Sequence, residues 1–369
     1  MKIFQIIILS GSLFVFSVSQ GRSTEYMTLQ EYNSIHQQHE KIAEIFNIRV
    51  QKTAHPIDSA KDYQTIKIIF VYPGEQVSDY WRRSITSFKK RMDETGISHE
   101  LYEYFSKPAV DYRVQEMQMK SALEKKPDYL VFTLDARKHK RIIQRIITKK
   151  KPKIILQNIT TPLRIWEGKQ PFLYIGFDHA TGSELLADYY VKKTAGEGTY
   201  ALLYFSEGYV SEMRGDTFIR YLNENSRLKL VASYYTDGNR QKAKEAALEI
   251  IKNHPDIKFI YACSTDVAFG AIDALQQTGS RERIMVNGWG GGSSELQALK
   301  NGDMDVTVMR MNDDNGVAMA EAVQLDIEGR AEEVPTVYSG SFVLVDKEMN
   351  SSEIEKLKEK AFRYSGQGQ

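Results

Sequence analysis

Of 369 residues only one is a cysteine, Cys263, and only nine are prolines. A single thiol can form no internal disulfide, so the fold must rest on buried apolar surface rather than covalent staples, and Cys263 reads as a buried thiol. Excess charge is lacking too: 49 Lys and Arg stand against 48 Asp and Glu, which leaves no overall field toward nucleic acid or an anionic membrane. No apolar run reaches the roughly 20 residues that a membrane-spanning helix needs. The seven histidines, His36 and His39 among them, show no metal spacing with cysteines or carboxylates. Nor is there a nucleophile elbow, a Walker loop or a paired-carboxylate signature. The expectation is therefore no metal, no cofactor and no catalysis.

What is present begins with an export pattern. Lys2 gives a positive start, Ile6, Ile7, Ile8, Leu9, Leu13, Phe14 and Phe16 give an apolar run broken by Ser10, Gly11 and Ser12, and Ser17-Val18-Ser19 suits signal peptidase. Residues 1–19 are expected to be a signal peptide cleaved after Ser19, with a retained anchor as the alternative, and no cysteine follows to carry a lipid. Loss of Lys2 leaves the mature chain formally neutral. The remaining length, about 350 residues, exceeds one typical domain and allows two lobes, each with its own core.

Short runs rich in β-branched and aromatic residues recur at 66–72, 129–133, 154–159, 172–177, 200–205, 259–262, 284–287 and 306–309 and predict strands. Helical spacing at 81–91, 183–191, 241–252, 268–276 and 315–325 alternates with them. Near-continuous apolar strands separated by helices predict an α/β fold of parallel sheets covered on both faces, and the length predicts two of them. Residues 20–65 precede this pattern. They hold one helical spacing, Ile35, Ile42, Ile45 and Phe46, then a polar stretch to Asp62, and read as an appended arm. No solenoid repeat or low-complexity tract is visible.

Open parallel sheets bind ligands beyond the carboxyl ends of their strands, so those positions carry the functional reading. The first strand runs into Pro73-Gly74-Glu75-Gln76-Val77-Ser78-Asp79-Tyr80-Trp81; the third ends at Gln157, Asn158 and Thr160. Later ends bring Ser206-Glu207-Gly208 and Arg214-Gly215-Asp216-Thr217, Ser264-Thr265-Asp266, Asn287-Gly288-Trp289, and Arg310-Met311-Asn312-Asp313. Indole faces pack on sugar C–H faces while amides and hydroxyls satisfy hydroxyl groups, so this inventory suits a polyol. Arg214 and Arg310 exceed what a neutral sugar requires, because a desolvated guanidinium wants an anionic partner or full hydrogen bonding, which brings in an anionic ligand. For Arg214 the competing reading is a surface ion pair with Glu212 or Asp216. Trp81 or Trp289 alone could be ordinary packing.

Two other stretches are read as structural. Gly288, Gly290, Gly291 and Gly292 lack the dinucleotide spacing and suggest close ligand approach beside a helix N-terminus. Residues 137–153 carry nine Lys and Arg and no acid, yet Ile142, Ile143, Ile146 and Ile147 fit one inward face of an amphipathic surface helix, with a basic docking face as the lesser reading. Asp313 and Asp314 fit a helix cap.

The strings VYPGEQVSDYW, FTLD, LQNITTP, GFDHA, YFSEGY, RGDTF, YACSTD, GWGGGS, VMRMNDD and the terminal AFRYS run through nearly the whole mature chain. In that order they resemble the autoinducer-2 receptors of the type I periplasmic sugar-binding family. The resemblance implies two doubly wound parallel-sheet lobes joined by three crossings, near 177–179, 310–312 and 339–341. The first lobe would comprise 66–178 plus 312–340, the second 179–311 plus 341–369, and the arm 20–65. It implies a periplasmic receptor, not an enzyme, whose ligand is a cyclic furanosyl borate diester with negative charge on tetrahedral boron. By motif, Gln76, Ser78, Trp81, Asn158 and Thr133 would approach it from the first lobe. Arg214, Thr265, Asp266, Trp289 and Arg310 would approach from the other lobe and a crossing, with the two arginines on the diester. Closure would then be sensed by the periplasmic domain of a LuxQ-type hybrid sensor kinase.

Three other readings compete. A receptor delivering neutral ribose or galactose to an ABC permease would use the same fold. A two-lobed transcriptional repressor would need a helix-turn-helix, which is not visible, and fold alone does not exclude an enzyme.

Overall fold

The computed structural model describes residues 25–58, 60–107, 111–134 and 139–366. The expected signal peptide and the first two cations of the basic run, Arg137 and Lys138, lie outside the described residues. After α1 (Leu29–Ile35) and α2 (His39–Gln51), strand and helix alternate: β1 (Ile66–Tyr72), α3 (Tyr80–Thr95), β2 (His99–Phe105), α4 (Tyr112–Glu124), β3 (Tyr129–Thr133), α5 (His139–Lys149), β4 (Lys153–Gln157) and β5 (Leu173–Phe177). Ile68, Ile69, Phe70 and Val71 of β1 are wholly buried, as a strand covered by helices on both faces requires. The strands pair in parallel in the order β2-β1-β3-β4-β5. α3 stops where Gly96 takes a left-handed φ of 72°.

The second lobe follows with α6 (His179–Thr194), β6 (Thr199–Tyr204), the short α7 (Tyr209–Ser211), α8 (Thr217–Asn225), β7 (Lys229–Tyr235), α9 (Arg240–Asn253), β8 (Phe259–Ala262), α10 (Thr265–Gln277), β9 (Met285–Val286), α11 (Ser293–Asn301) and β10 (Val306–Arg310). Its sheet order is β7-β6-β8-β9, again parallel, and two bridges attach β10 beyond the β9 edge. Both lobes thus repeat one winding order, a duplication invisible in the sequence. The chain then returns through α12 (Asp313–Ile327) and β11 (Val337–Gly340), which adds to β5 in the first sheet, and finishes with β12 (Phe342–Asp346) against β10 and α13 (Ser351–Ala361). It therefore passes between the sheets after Phe177, after Arg310 and between Gly340 and Phe342.

Four strands were not predicted from the sequence: β2, β7, β11 and β12. The arm also differs from the expectation. It forms two helices, and it is not an appendage: Phe46 and Val50 enter the core beneath α3 and α12, and Tyr26, Met27 and Tyr32 enter the core on the opposite sheet face. Ile35 and Ile45, part of the expected stripe, are 54% and 55% exposed. The break between α1 and α2 resets the helical phase, so the buried stripe of α2 becomes His39, Phe46 and Val50. Polar ties complete the docking. Arg49 pairs with the buried Glu321 of α12, Gln51 donates to Asp314 at 2.8 Å, and the Val337 N–H donates to His39 Nε2 at 3.0 Å.

Candidate functional site

A cavity of about 50 Å³ lies between the two sheets. Pro73, Gln76, Ser78, Tyr80 and Trp81 line it from the loop after β1 and the start of α3, and Asn158 from the end of β4. Phe205, Val210 and Arg214 follow β6, Ser264 and Thr265 follow β8, Trp289 follows β9, and Arg310 ends β10. Every lining residue therefore sits at or beyond a strand's carboxyl end, where the peptide dipoles and free loop backbone of a parallel sheet converge. Direct bonds across the cleft hold it shut: the Val77 N–H donates to Asp266 Oδ1 at 3.2 Å, and the Ser293 N–H to Asp79 Oδ2 at 3.2 Å.

Local backbone features aim these side chains. Asn158 adopts φ 67°, a left-handed conformation that asparagine tolerates, and this turns its side chain off the strand end. Gly176 of the neighbouring β5 makes room, since a Cβ there would lie 3.0 Å from the Ile159 nitrogen. Arg214 sits within a π-helical turn, Glu212–Asp216, between α7 and α8. Such turns insert one extra residue and rotate a side chain out of helical phase. Here the rotation brings Arg214 inward to 4% exposure.

Arg214 Nη1 donates to the Cys263 carbonyl at 2.7 Å and Nε to His179 Nδ1 at 3.3 Å, with the guanidinium 3.6 Å over the Trp289 ring. Arg310 is held by aromatic faces, 4.6 Å over Tyr80 and 5.1 Å over Trp289, while its buried Nε has no hydrogen-bond partner. No carboxylate among the described residues forms an ion pair with either. Asp216, one of the two partners in the competing surface-pair reading, instead accepts the Tyr204 hydroxyl at 2.6 Å. Burial, reinforced by the Arg310 charge, pushes Arg214 down to about 9, and burial pushes Arg310 down as well. The cavity therefore holds two cations at the cost of desolvation, offset only in part by the charge of Glu295, which reaches both, and of Asp79, which reaches Arg310.

His179 lies behind the cavity. Burial first, then the two guanidinium charges, hold it well below the usual imidazole range, so it is neutral. Its tautomer follows from its neighbours: Nε2–H donates to the Asn158 carbonyl at 3.2 Å, leaving the Nδ1 lone pair to accept from Arg214. Trp289 is fixed by its indole N–H to the Tyr261 hydroxyl, 3.2 Å, and its backbone N–H to Glu295 Oε1, 2.9 Å. Trp81 stacks on Tyr72. Asn158 Oδ1 and Ser264 Oγ, both buried, have no partner.

Of the ten residues singled out in the sequence, Gln76, Ser78, Trp81, Asn158, Arg214, Thr265, Trp289 and Arg310 are brought together around this cavity. Thr133 is buried at the end of β3 and is not among the lining residues, and Asp266 bonds Val77 across the lobes. The glycine loop does precede a helix N-terminus, with Gly292 as the N-cap of α11, but the expected ligand approach is not what its glycines serve. A Cβ at Gly291 would lie 2.4 Å from Met309 Cα and one at Gly288 2.5 Å from Glu295 Oε2, so these glycines admit β10 and the Glu295 carboxylate rather than a ligand. Sequence reasoning missed Pro73, Tyr80, Phe205, Val210, Ser264 and His179 as site residues. Pro73, Tyr80 and Ser264 lay inside loops already singled out; His179 carried no signal beyond its place at a crossing. Among the described residues no group of three or more His, Cys, Asp and Glu is placed to hold a metal, and no helix is long and apolar enough to cross a membrane.

Two lobes of one winding order, three passages between them and a polar-aromatic cavity at the facing strand ends define a two-lobed α/β solute-binding protein. Residues 68–331 match the periplasmic binding protein domain, and the chain belongs to that family. It is 28% identical over 177 residues to the ribose import binding protein RbsB of Salmonella typhimurium, covering 47% of this chain and 58% of that protein. It is 29% identical over 168 residues to the D-allose-binding periplasmic protein of Escherichia coli, covering 45% and 53%. The match thus spans little more than half of each curated relative. Among solved structures, a periplasmic solute-binding protein of an ABC transporter from Actinobacillus succinogenes with bound D-allose superposes with a TM-score of 0.67 at 21% identity, covering 77% of this chain and 98% of that one. A Bacillus halodurans solute-binding protein with bound myo-inositol gives 0.68 at 18% identity, covering 81% and 99%.

Proposed function

We propose that this protein is an exported periplasmic receptor of the LuxP kind, binding autoinducer-2 as its furanosyl borate diester and passing its bound state to a LuxQ-type hybrid sensor kinase. The observation that carries the reading is the pair of buried guanidinium groups, Arg214 and Arg310, neither of which forms an ion pair among the described residues. A tetrahedral borate diester carries one negative charge and would interact favourably with both and offset half of their combined charge, where a neutral sugar would offset none. Trp81 and Trp289 supply flat faces for the ring. Gln76, Ser78, Asn158 and Thr265 supply amides and hydroxyls for its oxygens. In this reading Asp266 acts by closing the lobes and Thr133 by supporting the floor. Closure shifts the lobe equilibrium by the ligand's differential affinity for the shut form, and no turnover follows. The kinase and the periplasmic location rest on the sequence resemblance and on family membership.

A second reading is favoured by the relatives, whose names speak of ribose and allose: a sugar receptor for an ABC transporter. Isothermal titration of the mature protein with synthetic autoinducer-2 precursor, with and without borate, separates the two. Borate-dependent binding that an Arg214→Ala/Arg310→Ala double variant loses is the expected result. Binding of ribose or allose that needs no borate and survives in the double variant would establish the sugar reading.

A further inference from the structure

Arg83 lies outside the cavity, on α3 of the first lobe, and all three of its nitrogens are committed to different parts of the chain. Nε donates to Asp79 on its own helix at 2.7 Å, Nη2 to Ser293 Oγ at the start of α11 in the second lobe at 2.8 Å, and Nη1 to Ser365 Oγ in the C-terminal tail at 2.8 Å. Asp79 in turn accepts the Ser293 N–H, so a carboxylate and a guanidinium of one lobe grip the first turn of a helix in the other. The guanidinium lies 3.7 Å over the Phe362 ring.

The tail it holds is itself a strap. α13 packs in the second lobe, where Ala361 and Phe362 join the core with Val345 and Leu299. The next three residues then bind the first lobe. Arg363 pairs with Asp314 and donates to the Val50 carbonyl, Lys90 donates to the Tyr364 carbonyl at 2.7 Å, and the Tyr364 hydroxyl donates to Glu94 at 2.6 Å. Asp313, wholly buried and three residues past the Arg310 end of β10, accepts the N–H groups of Tyr364 and Ser365 and the Ser365 hydroxyl, each at 2.7 Å. Ser365 thereby joins the second passage between the lobes to Arg83, and Arg83 joins it to the closing edge of the cleft.

We propose that Arg83 is a positioning residue that locks the lobes shut: it ties the α11 N-terminus and the C-terminal strap to α3, and so biases the unliganded protein toward the closed form without touching ligand. The bias does not depend on which ligand the cavity takes. Opening must break the Arg83–Ser293 and Asp79–Ser293 bonds, while the strap keeps the guanidinium aimed for reclosure.

The test is the interlobe distance distribution of unliganded full-length mature protein, measured by pulsed electron spin resonance between labels at Met117→Cys on α4 and Arg227→Cys before β7. Both positions are exposed, and the native Cys263 is buried. Arg83→Met is expected to lower the closed-to-open ratio about tenfold, Ser293→Ala and Ser365→Ala about threefold each, and Arg83→Lys less than Arg83→Met. Ser293→Ala and Ser365→Ala carry the test if Arg83→Met does not fold. Distributions that superimpose on the wild type's, open or closed, overturn the proposal, as does a loss of thermal stability with no change in distance.

Discussion

Arg310 stands at the end of β10 with 4% exposure, aromatic faces around it and an unpaired Nε. Such a charge forms no ion pair among the described residues, and the aromatic faces and the charges of Glu295 and Asp79 leave its desolvation incompletely offset. Arg310→Met is therefore expected to leave the thermal midpoint unchanged or to raise it, by about 1–3 kcal/mol of stability, while weakening an anionic ligand by about 2 kcal/mol or more. A melting curve beside a titration checks both signs at once; a destabilised variant that still binds would show the arginine to be structural. Much of this was legible one residue at a time. Arg214, Arg310, Trp81 and Trp289 could be found because strand ends are readable from apolar runs, and large or charged residues there are conspicuous. What was not legible is which strand end turns inward. Asp266 follows β8 as closely as Thr265 does, yet α10 begins there and turns the carboxylate toward Val77 of the other lobe.

Elements were legible in proportion to their burial. β1, β3, β5 and β8 are covered on both faces and read as apolar runs, broken in β1 only by Lys67, whereas β2 (HELYEYF) and β7 (KLVASYY) are sheet edges of mixed exposure whose charges hide the strand. β11 and β12 are separated by Ser341 alone, so no turn signal marks them as two strands, and β12 is only partly buried. The cavity also depends on elements meeting at glycines. A Cβ at Gly182 of α6 would lie 2.9 Å from the Trp289 ring and 3.1 Å from Phe342. In isolation Gly182→Ala should favour the helix by about 1 kcal/mol, but here it must shift the indole that carries both arginines. The expected outcome is a folded protein with a weakened titration and an altered tryptophan emission. Unchanged emission and affinity would mean that the Trp289 platform does not depend on this contact.

At the scale of the molecule, acid pH addresses how the arm and lobes hold together. Burial lowers His39 and His139 to about 4 and holds His179 well below the ordinary imidazole value of 6.5. Each folded-state pKa is depressed, so the unfolded chain binds more protons between the two values, and stability falls as pH drops from 6.5 toward 4. The half-buried Asp266 and the buried Asp313 and Glu321 are shifted up, chiefly by desolvation. Their sign is opposite: each favours the folded form as it takes up a proton. That offset develops as pH falls from their raised folded values to the unfolded values near 4, and over that range it subtracts from the histidine contribution. His39 is the informative one, since its Nε2 must stay unprotonated to accept the Val337 N–H and hold α2 against β11. Urea midpoints should decline from pH 7 to pH 5 with a slope of up to three protons for the three histidines, less what the carboxyls offset. His39→Gln keeps an acceptor without a titrating group, so it should flatten that slope by about one proton. The same decline in His39→Gln as in the wild type would place the acid sensitivity elsewhere and leave the arm as a docked segment whose hold does not depend on the charge of His39.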